Sequence, residues 1–377
     1  MERTKKHFLK KTLCIFALTI IAISSYIIHN RFKPIDTNPF FIPQKPKHAR
    51  LVFAGDLMQH IPQVNAAYTA NGIYDYTESF QDIKSIFENA DIAILNLETT
   101  LTPEKYYTGY PLFRSPAKLA DAIKNIGIDI VTLANNHICD NGRTGIEFTI
   151  NRLDSLKISY TGAFTDSLQY KRLNPLRFSV NQLNFALLNY TYDTNGIAIP
   201  KNTIVNLIDT SAIALDLKQI DRTTTDCVIV FFHWGDEYIR RPNKEQHMLA
   251  NFCHTQGVEL VIGSHPHVIQ PFETSPDKDS IIRSVTVYSL GNLVSNQRKR
   301  YRDGGLIVTF DIEKKGNQPV QIKPYYTPVW VQLPKYRIIP AVIGDTLSMP
   351  EYQRTSYNQF MEDTRALLKY DEIFEEI

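Results

Sequence analysis

Side chains of the kinds that bind metal ions follow five apolar runs of the sequence. In "GSHPH", His265 and His267 follow the run "ELVI" (259–262). Asp56 follows the run "LVFA" (51–54), and Asn96 and Glu98 follow "IAIL" (92–95). Asn135, Asn136 and His137 follow "IVTLA" (130–134), and His233 follows "VIVFF" (228–232). Carboxylate, amide and imidazole groups together suit a divalent ion such as manganese, iron or zinc. One bridging carboxylate with several imidazoles can hold two such ions.

Each of these motifs has an ordinary structural explanation when it is taken alone. An aspartate after a strand often caps a turn, and a lone His-x-His is more often a surface feature than a ligand pair. The repetition of such motifs at the ends of successive runs is what predicts a site. Four nearby residues, His60, Asn96, Glu237 and Asn292, are further candidates for a ligand or for a group that supports one.

The elements that must position these residues are short strands that alternate with helices. Further strands are predicted at 185–189, 285–288 and 306–310, and "SPAKLADAIKNIG" (115–127) predicts a helix capped by Ser115 and ended by Gly127. Such alternation favours an α/β domain with covered sheets, in which the carboxyl ends of parallel strands build the site. Beyond Asp311 the pattern weakens, with an extended segment at 325–341 and a terminal helix within 355–377.

The backbone of "GSHPH" is expected to bring both histidines to one side. Gly263 would let the chain leave its strand in a conformation that other residues resist. Pro266 would bias His265 towards an extended backbone, in which residues two apart point the same way. His265 and His267 would then serve opposite metal positions, whereas His254, in a helical pattern, would be a surface or packing histidine.

Composition excludes some functions and leaves others open. The 377 residues carry 41 basic and 39 acidic side chains, so the net charge of +2 gives no support to nucleic-acid binding. The basic segment "NQRKRYR" (296–302) is interpreted as a solvated loop, with an anion contact as the alternative. None of the four cysteines lies in a Cys-x-x-Cys pair, which argues against a cysteine zinc site, although one disulfide stays open.

The N-terminus predicts a membrane anchor. Residues 12–28 are apolar and uncharged, five Lys or Arg precede them, and only Arg31 and Lys33 follow closely. The positive-inside rule therefore places residues 1–11 in the cytoplasm and the main domain outside the membrane, and a cleaved signal peptide is the alternative. Residues 29–49 form a proline-rich linker, residues 50–312 the main domain, and residues 313–377 a C-terminal extension.

The order of the motifs resembles two nested families. The wider one is the calcineurin-like metallophosphoesterase superfamily. The closer one is the bacterial capsule synthesis protein CapA family of poly-γ-glutamate biosynthesis, which the phrases "GDLM", "ADIAILNLETTLT", "GIDIVTLANNHICDNG", "FFHWGDEY", "GSHPHVIQP" and "YSLGNLV" resemble. This resemblance covers roughly residues 50–312. It implies a four-layer α/β sandwich of two packed mixed sheets flanked by helices, here with an N-terminal transmembrane helix.

The resemblance also implies roles for individual residues. Asp56 and His267 would hold a first metal ion, Glu98 would bridge, and Asn136, His233 and His265 would hold a second. His137 would lie beside the ions as a general acid or transition-state stabiliser. The chain departs from the wider pattern at Met58, where that pattern has a histidine, and His60 is the alternative ligand there.

Two functions follow as expectations. The first is a divalent-metal-dependent hydrolase, anchored outside the membrane, that cleaves a phosphoester or an amide-type bond of a surface polymer with a metal-bound hydroxide. The sequence leans toward this enzyme and leaves it uncertain. The alternative is a non-catalytic component that binds anionic polymer in a capsule synthesis or export complex with other capsule proteins.

Overall fold

The computed structural model describes residues 46–103, 106–369 and 374–377. The predicted cytoplasmic segment and membrane anchor, and the linker up to residue 45, lie outside the described residues. Within the described ranges, no helix is both long and apolar enough to cross a membrane.

Strands and helices alternate through the first two thirds of the chain. The strands are β1 (Lys47–Leu57), β2 (Ile92–Leu97), β3 (Thr100–Thr102), β4 (Arg114–Pro116), β5 (Ile130–Thr132), β6 (Ser159–Thr161), β7 (Ala163–Phe164), β8 (Leu176–Val180), β9 (Leu183–Thr191), β10 (Ile204–Val205), β11 (Cys227–His233), β12 (Leu260–Ser264), β13 (Phe272–Pro276), β14 (Ile282–Val287), β15 (Asn292–Val294), β16 (Gly304–Lys314), β17 (Gln321–Gln332), β18 (Arg337–Pro340) and β19 (Glu375–Glu376). The helices are α1 (Ile61–Ala67), α2 (Thr77–Phe80), α3 (Lys84–Glu88), α4 (Lys118–Asn125), α5 (Gly142–Ser155), α6 (Ser167–Leu173), α7 (Thr210–Lys218), α8 (Lys244–Thr255), α9 (Ala341–Gly344) and α10 (Glu351–Leu368).

Two mixed sheets carry most of these strands. The larger sheet has the order β18-β17-β16-β1-β2-β5-β6, with β15 beside β1 and β19 beside β17. The smaller sheet has the order β13-β14-β12-β11-β9-β8. Strands β1, β2, β5 and β6 run parallel, as do β9, β11, β12 and β14. Several chain segments therefore end at the same edge of each sheet.

The two sheets pack face to face, and helices cover their outer faces. Because side chains alternate across a strand, Leu51 and Phe53 of β1 lie in the core between the sheets, while Val52 and Ala54 face the helices. In β9, Leu187 likewise joins the central core, and its neighbours pack with α7 and α8. The layered α/β arrangement predicted from the sequence is therefore present in the described residues.

Helix α4 begins later than the sequence predicted. Its N-cap is Ala117, and Ser115 belongs to β4, where its hydroxyl lies 2.6 Å from that of Thr99. The predicted cap at Ser115 is therefore wrong, because this residue pairs with Leu101 in the short parallel pairing of β3 with β4. Gly127 does end the helical segment, with φ +98°.

The C-terminal segment continues the larger sheet. Strand β16 runs to Lys314, and β17 pairs with it antiparallel from Gln321 onward. The segment interpreted as extended contains most of β17 and all of β18, and the terminal helix is α10. Phe360 and Met361 of α10 are buried in the same hydrophobic cluster as the facing side chains of the two sheets.

Candidate metal centre

The larger sheet contributes acidic and amide groups to one edge. Asp56 lies near the end of β1, and Asn96 and Glu98 lie at the end of β2. Asn136 and His137 follow β5 in a turn in which the Asn135 side chain donates to the Leu97 carbonyl at 2.9 Å. All of these side chains are buried, and those of Asp56 and Glu98 are fully inaccessible.

The smaller sheet contributes three imidazoles to the same place. His233 is the last residue of β11, and His265 and His267 follow β12, which pairs with β11 in parallel. His233 and His265 approach to 3.2 Å between Nε2 and Nδ1. The candidate centre therefore lies where the carboxyl ends of strands from both sheets meet.

The backbone of the His-x-His loop differs from the expectation. His265 and His267 have φ of +96° and +55°, so neither is extended, and both occupy a region that side chains other than glycine rarely adopt. The predicted extended loop is wrong. Two hydrogen bonds hold the strained loop: His265 N–H donates to Asp56 Oδ2 at 3.1 Å, and Tyr238 N–H donates to the Pro266 carbonyl at 2.7 Å.

Gly263 is required for space rather than for an unusual φ. It lies within β12, and a Cβ there would fall 2.0 Å from the Tyr288 carbonyl oxygen and 2.4 Å from Trp234 Nε1. The prediction that it releases the chain from its strand is therefore replaced by a close approach of β12 to its neighbours.

The predicted ligands form two groups that share Glu98. In each group the ligand atoms lie within 4.8 Å of one another: Asp56, Glu98 and His267 make the first group, and Glu98, His233 and His265 the second. Asn136 Oδ1 adds an oxygen 3.0 Å from His233 Nε2. The structure thus brings together all six residues that the resemblance implied as ligands.

Among the described residues, no group forms a hydrogen bond to the Glu98 carboxylate, and the imidazole nitrogens of His233 and His267 lie 3.5 and 3.8 Å from its Oε1. Both of its oxygens are buried without a hydrogen-bond donor. Burial first, and the Asp56 carboxylate second, hold its pKa well above the usual range. A buried carboxylate in this position is costly unless a cation lies against it, so the donor set fits one or two divalent ions.

Two of the three imidazoles, those of His233 and His265, are held in the neutral form that metal binding requires. Burial lowers the pKa of His265 to about 3, and burial together with the other imidazoles lowers the pKa of His233 far below its usual range. For Asp56, burial favours the neutral acid, but hydrogen bonds from His267, Asn96 and the His265 backbone outweigh it and lower the pKa. An ionised carboxylate beside neutral imidazoles is a suitable ligand set.

Neighbouring polar groups fix the orientation of these ligands. His233 Nδ1 lies 3.0 Å from Ser264 Oγ and 3.2 Å from Asn96 Nδ2, so its Nε2 faces Glu98. His267 Nδ1 lies 3.0 Å from Asn292 Oδ1. Asn96 and Asn292, which the sequence suggested as ligands or supporting groups, here support the histidines.

His137 forms a pair with Asp140. Its Nδ1 lies 2.7 Å from Asp140 Oδ2, and that same oxygen accepts the Phe113 N–H at 2.6 Å. Asn195 Nδ2 approaches His137 Nδ1 to 3.5 Å. Because Asp140 engages Nδ1, Nε2 is the atom left to exchange a proton with a substrate.

His60 and Glu237 lie at the edges of the cluster. His60 Nδ1 is engaged by Gln63 and by the Asn296 N–H, and its ring packs on Phe113. Burial lowers the pKa of His60 to about 4. His60 joins neither of the two ligand groups, whereas the exposed Glu237 can form a third with His265 and His267.

Sequence reasoning missed three residues of this site. Asp140 lies three positions after His137, a spacing that a turn can close. Ser264 pairs with His233 in the parallel register of β11 and β12. Tyr192 follows β9 at the same edge, and its ring centroid is 4.4 Å from that of His265. The signal for Ser264 and Tyr192 was their position at the end of a predicted strand.

The fold and this site define a layered α/β protein with a candidate divalent-metal centre between two sheets. The sequence-based lean toward an enzyme agrees with this ligand set. A family model described as "Bacterial capsule synthesis protein PGA_cap" matches residues 50–297. The chain therefore belongs to this family of bacterial capsule synthesis proteins.

Two relatives carry names from capsule biosynthesis. The chain is 28% identical over 280 residues to the PGA biosynthesis protein CapA of Bacillus subtilis (strain 168), covering 72% of this chain and 70% of that protein. It is 27% identical over 315 residues to the capsule biosynthesis protein CapA of Bacillus anthracis, covering 78% and 73%. Among solved structures, the 5'-nucleotidase from Candida albicans SC5314 aligns with 85% of this chain and 58% of its own, with 12% identity and a TM-score of 0.43.

Proposed function

We propose that the protein is a divalent-metal-dependent hydrolase of metallophosphoesterase type that acts on an anionic surface polymer during capsule biosynthesis. The observation that carries the proposal is the pair of ligand groups that share the buried, unpartnered carboxylate of Glu98. The His137–Asp140 pair beside them adds a group that can transfer a proton.

Six residues would hold the metal. Asp56, Glu98 and His267 would form one position, and Glu98, Asn136, His233 and His265 the other. Divalent ions at these positions would lower the pKa of water and polarise an oxygen of the substrate. Asn96, Ser264 and Asn292 keep the imidazoles in the required orientation, and burial excludes bulk water from the ligands.

His137 would protonate the leaving group from Nε2. Asp140 holds Nδ1, so the ring presents a fixed nitrogen to the substrate. Tyr192 lies against His265 with 44% of its surface exposed and would form one wall of the substrate cleft. Positioned proton donors of this kind contribute about 10²- to 10⁴-fold to a rate.

The substrate class follows from the family and its named relatives. We infer an anionic polymer such as poly-γ-glutamate, with a phosphoester or an amide-type bond as the bond that is cleaved. The predicted anchor at residues 12–28 would hold the catalytic domain outside the cytoplasmic membrane, where such a polymer is exported.

A non-catalytic function is the second candidate, and one observation favours it. Met58, a soft and weak ligand, stands where the wider superfamily has a histidine, and His60 is engaged by Gln63 and the Asn296 backbone instead. The first position would then hold its ion weakly, and the cleft would serve to bind polymer in a capsule synthesis or export complex.

One experiment separates the two candidates. The full-length protein is purified, its metal content is measured, and it is assayed with manganese, zinc or iron against phosphoesters and γ-glutamyl peptides. Hydrolysis that is lost in His137→Ala and retained in His254→Ala would support the enzyme. His254 is a matched control because both of its ring nitrogens bind within the fold, to the Val258 carbonyl and to Thr286 Oγ1. Polymer binding by a protein that retains metal but hydrolyses none of these compounds would support the second candidate.

A further inference from the structure

The basic segment 296–302 ends beside the metal centre. Asn292 Nδ2 donates to the Arg302 carbonyl oxygen at 2.9 Å, and the Oδ1 of the same amide lies 3.0 Å from His267 Nδ1. One buried amide therefore fixes both a candidate metal ligand and the main chain of Arg302. The position of Arg302 is coupled to the site by a direct contact.

The side chain of Arg302 is placed from the other side by Tyr238. Its guanidinium carbon lies 3.3 Å above the centroid of the Tyr238 ring, and that centroid is 6.0 Å from the ring of His267. Tyr238 itself is held with φ +69° by its hydrogen bond to the Pro266 carbonyl, between the two histidines. The stacked guanidinium is thus oriented at the rim of the cluster.

Arg302 differs from the other arginines of its segment in having no ion-pair partner among the described residues. Arg300 forms a two-armed ion pair with Asp363, and Arg298 lies 4.0 Å from Asp303. Within the described ranges, no carboxylate lies within ion-pair distance of the guanidinium of Arg302, a half-buried residue. Glu237, adjacent to Tyr238, is the acid that could compete for it, but no ion pair joins the two.

We propose that Arg302 binds an anionic group of the substrate, a carboxylate or a phosphate, next to the metal centre. This inference rests on the proposed function and adds the residue that recognises the charge of the polymer. The fork of an arginine matches the two oxygens of a carboxylate or phosphate, and stacking on Tyr238 leaves its N–H edges free to donate. The loop interpreted from the sequence as solvated would then carry a specificity determinant at its end.

Binding of defined probes to the full-length protein tests this inference. The probes are a γ-linked glutamate trimer with free α-carboxylates, the same trimer with α-carboxamides, and phenyl phosphate, each titrated by calorimetry. Arg302→Gln is expected to weaken binding of the anionic trimer or of phenyl phosphate by about tenfold and to leave the neutral trimer unaffected. If Arg302→Gln binds the anionic trimer more weakly, the group that Arg302 recognises is a carboxylate. If only phenyl phosphate binds more weakly, that group is a phosphate.

Three variants serve as controls. Lys299→Gln removes an exposed charge from the same segment and should bind the probes as the wild type does. Arg302→Lys keeps the charge without the fork, and we expect about threefold weaker binding. Glu237→Gln removes the carboxylate that could compete for Arg302, so the anionic probes should bind this variant more tightly, provided that its measured metal content equals that of the wild type.

The outcome is separable from that of the proposed function because hydrolysis is not the readout. Metal content and unfolding are measured on each variant, so a collapsed site is recognised. Equal affinity of Arg302→Gln and the wild type for both anionic probes would overturn the inference, as would a wild type that binds neither. Arg302-dependent binding by a protein without hydrolytic activity would uphold it while the proposed hydrolase fails.

Discussion

Glu98 and His233 belong to different sheets, yet Oε1 of Glu98 lies 3.5 Å from Nε2 of His233. Glu98 follows β2 of the larger sheet, and His233 ends β11 of the smaller sheet. The contact exists because the carboxyl ends of parallel strands from both sheets meet at one edge, and the core between the sheets fixes their separation. The geometry of the candidate metal centre therefore depends on how the two sheets pack, and a change in that packing should change the amount of metal that the protein binds.

Glu98→Gln should lower metal content more than Glu237→Gln does. Glu98 belongs to both buried ligand groups, and replacing its carboxylate with an amide removes a charge shared between them. Glu237 is exposed and approaches the cluster from its rim. Elemental analysis of the two full-length variants, purified in parallel, gives the comparison.

The two substitutions are matched in size and in the charge that they remove. Folding is monitored by near-UV circular dichroism, so that a loss of metal is separated from a loss of structure. Equal metal content in both variants would remove Glu98 from the ligands.

His137→Ala should lower the rate by about 10²-fold or more without changing the metal content. His137 belongs to none of the ligand groups found among the described residues, and because Asp140 engages its Nδ1, the proposed function assigns proton transfer to its Nε2. Asp140→Asn should reduce kcat in the same direction, because an amide no longer fixes the Nδ1 proton. A shift of the pH–rate profile in Asp140→Asn would show that Asp140 positions the imidazole and does not merely stabilise the fold. Loss of metal in His137→Ala would instead make His137 a metal ligand.

The sequence predicted the strands and the site because both depend on short-range signals. The buried runs are rich in Val, Ile, Leu and Phe, and each is followed at once by its polar residues. Three of these runs end at one edge of the larger sheet and two at one edge of the smaller sheet, as the carboxyl ends of parallel strands must, and the family resemblance singled out the six candidate ligands among the residues that follow them.

Long-range packing produced the features that the sequence did not reveal. The left-handed φ of His265 and His267 is enforced by Asp56 and Tyr238, which lie far away in sequence or on another loop. Gly263 is needed because the Tyr288 carbonyl and the Trp234 indole leave no room for a side chain there. Ser115 lies in β4, where its hydroxyl contacts that of Thr99, and it therefore does not cap α4. Such contacts leave no periodicity in the sequence.

Asp311→Asn should destabilise the fold by about 1 kcal/mol at pH 7. Arg50 Nε and Nη2 donate to the two Asp311 oxygens at 2.8 and 2.9 Å, which ties β1 to β16. Burial acts to raise the pKa of Asp311, but the Arg50 hydrogen bonds outweigh it and the pKa is lowered. The stabilisation by this ion pair is therefore complete at pH values above the unfolded-state pKa of Asp311, about 3.9. It is lost as the pH falls through the lower pKa of the folded state.

Urea unfolding of both proteins at pH 7 and near pH 3 measures this difference. The exposed Asp279 is a matched control, since its side chain makes no hydrogen bond or ion pair with any residue that the structure describes, and Asp279→Asn should change little at either pH. A difference between Asp311→Asn and the wild type that grows on acidification would contradict the assignment.

Protease added to intact spheroplasts should digest the main domain. The reason is the excess of five Lys or Arg residues before the apolar run 12–28 over the two that follow closely, which orients the N-terminus inward. A cytoplasmic marker protein must survive the same treatment. Protection of the main domain in spheroplasts, with digestion after lysis, would refute the orientation.

His265→Ala and His267→Ala should each weaken metal binding more than His254→Ala. His265 lies with Glu98 and His233, and His267 lies with Asp56 and Glu98, so each substitution removes a ligand from a different group. His267→Ala should therefore reduce metal binding by the first group and leave the second unchanged, and His265→Ala should do the reverse.

His254, at the end of α8, is the control. Its two ring nitrogens contact the Val258 carbonyl and Thr286, so its loss can affect packing but removes no contact to the metal ligands. Manganese and zinc titrations of the three folded variants, read as stoichiometry and affinity, decide the matter. Metal binding by the 265 and 267 variants that equals that of the 254 variant would eliminate the metal centre, and with it the proposed chemistry.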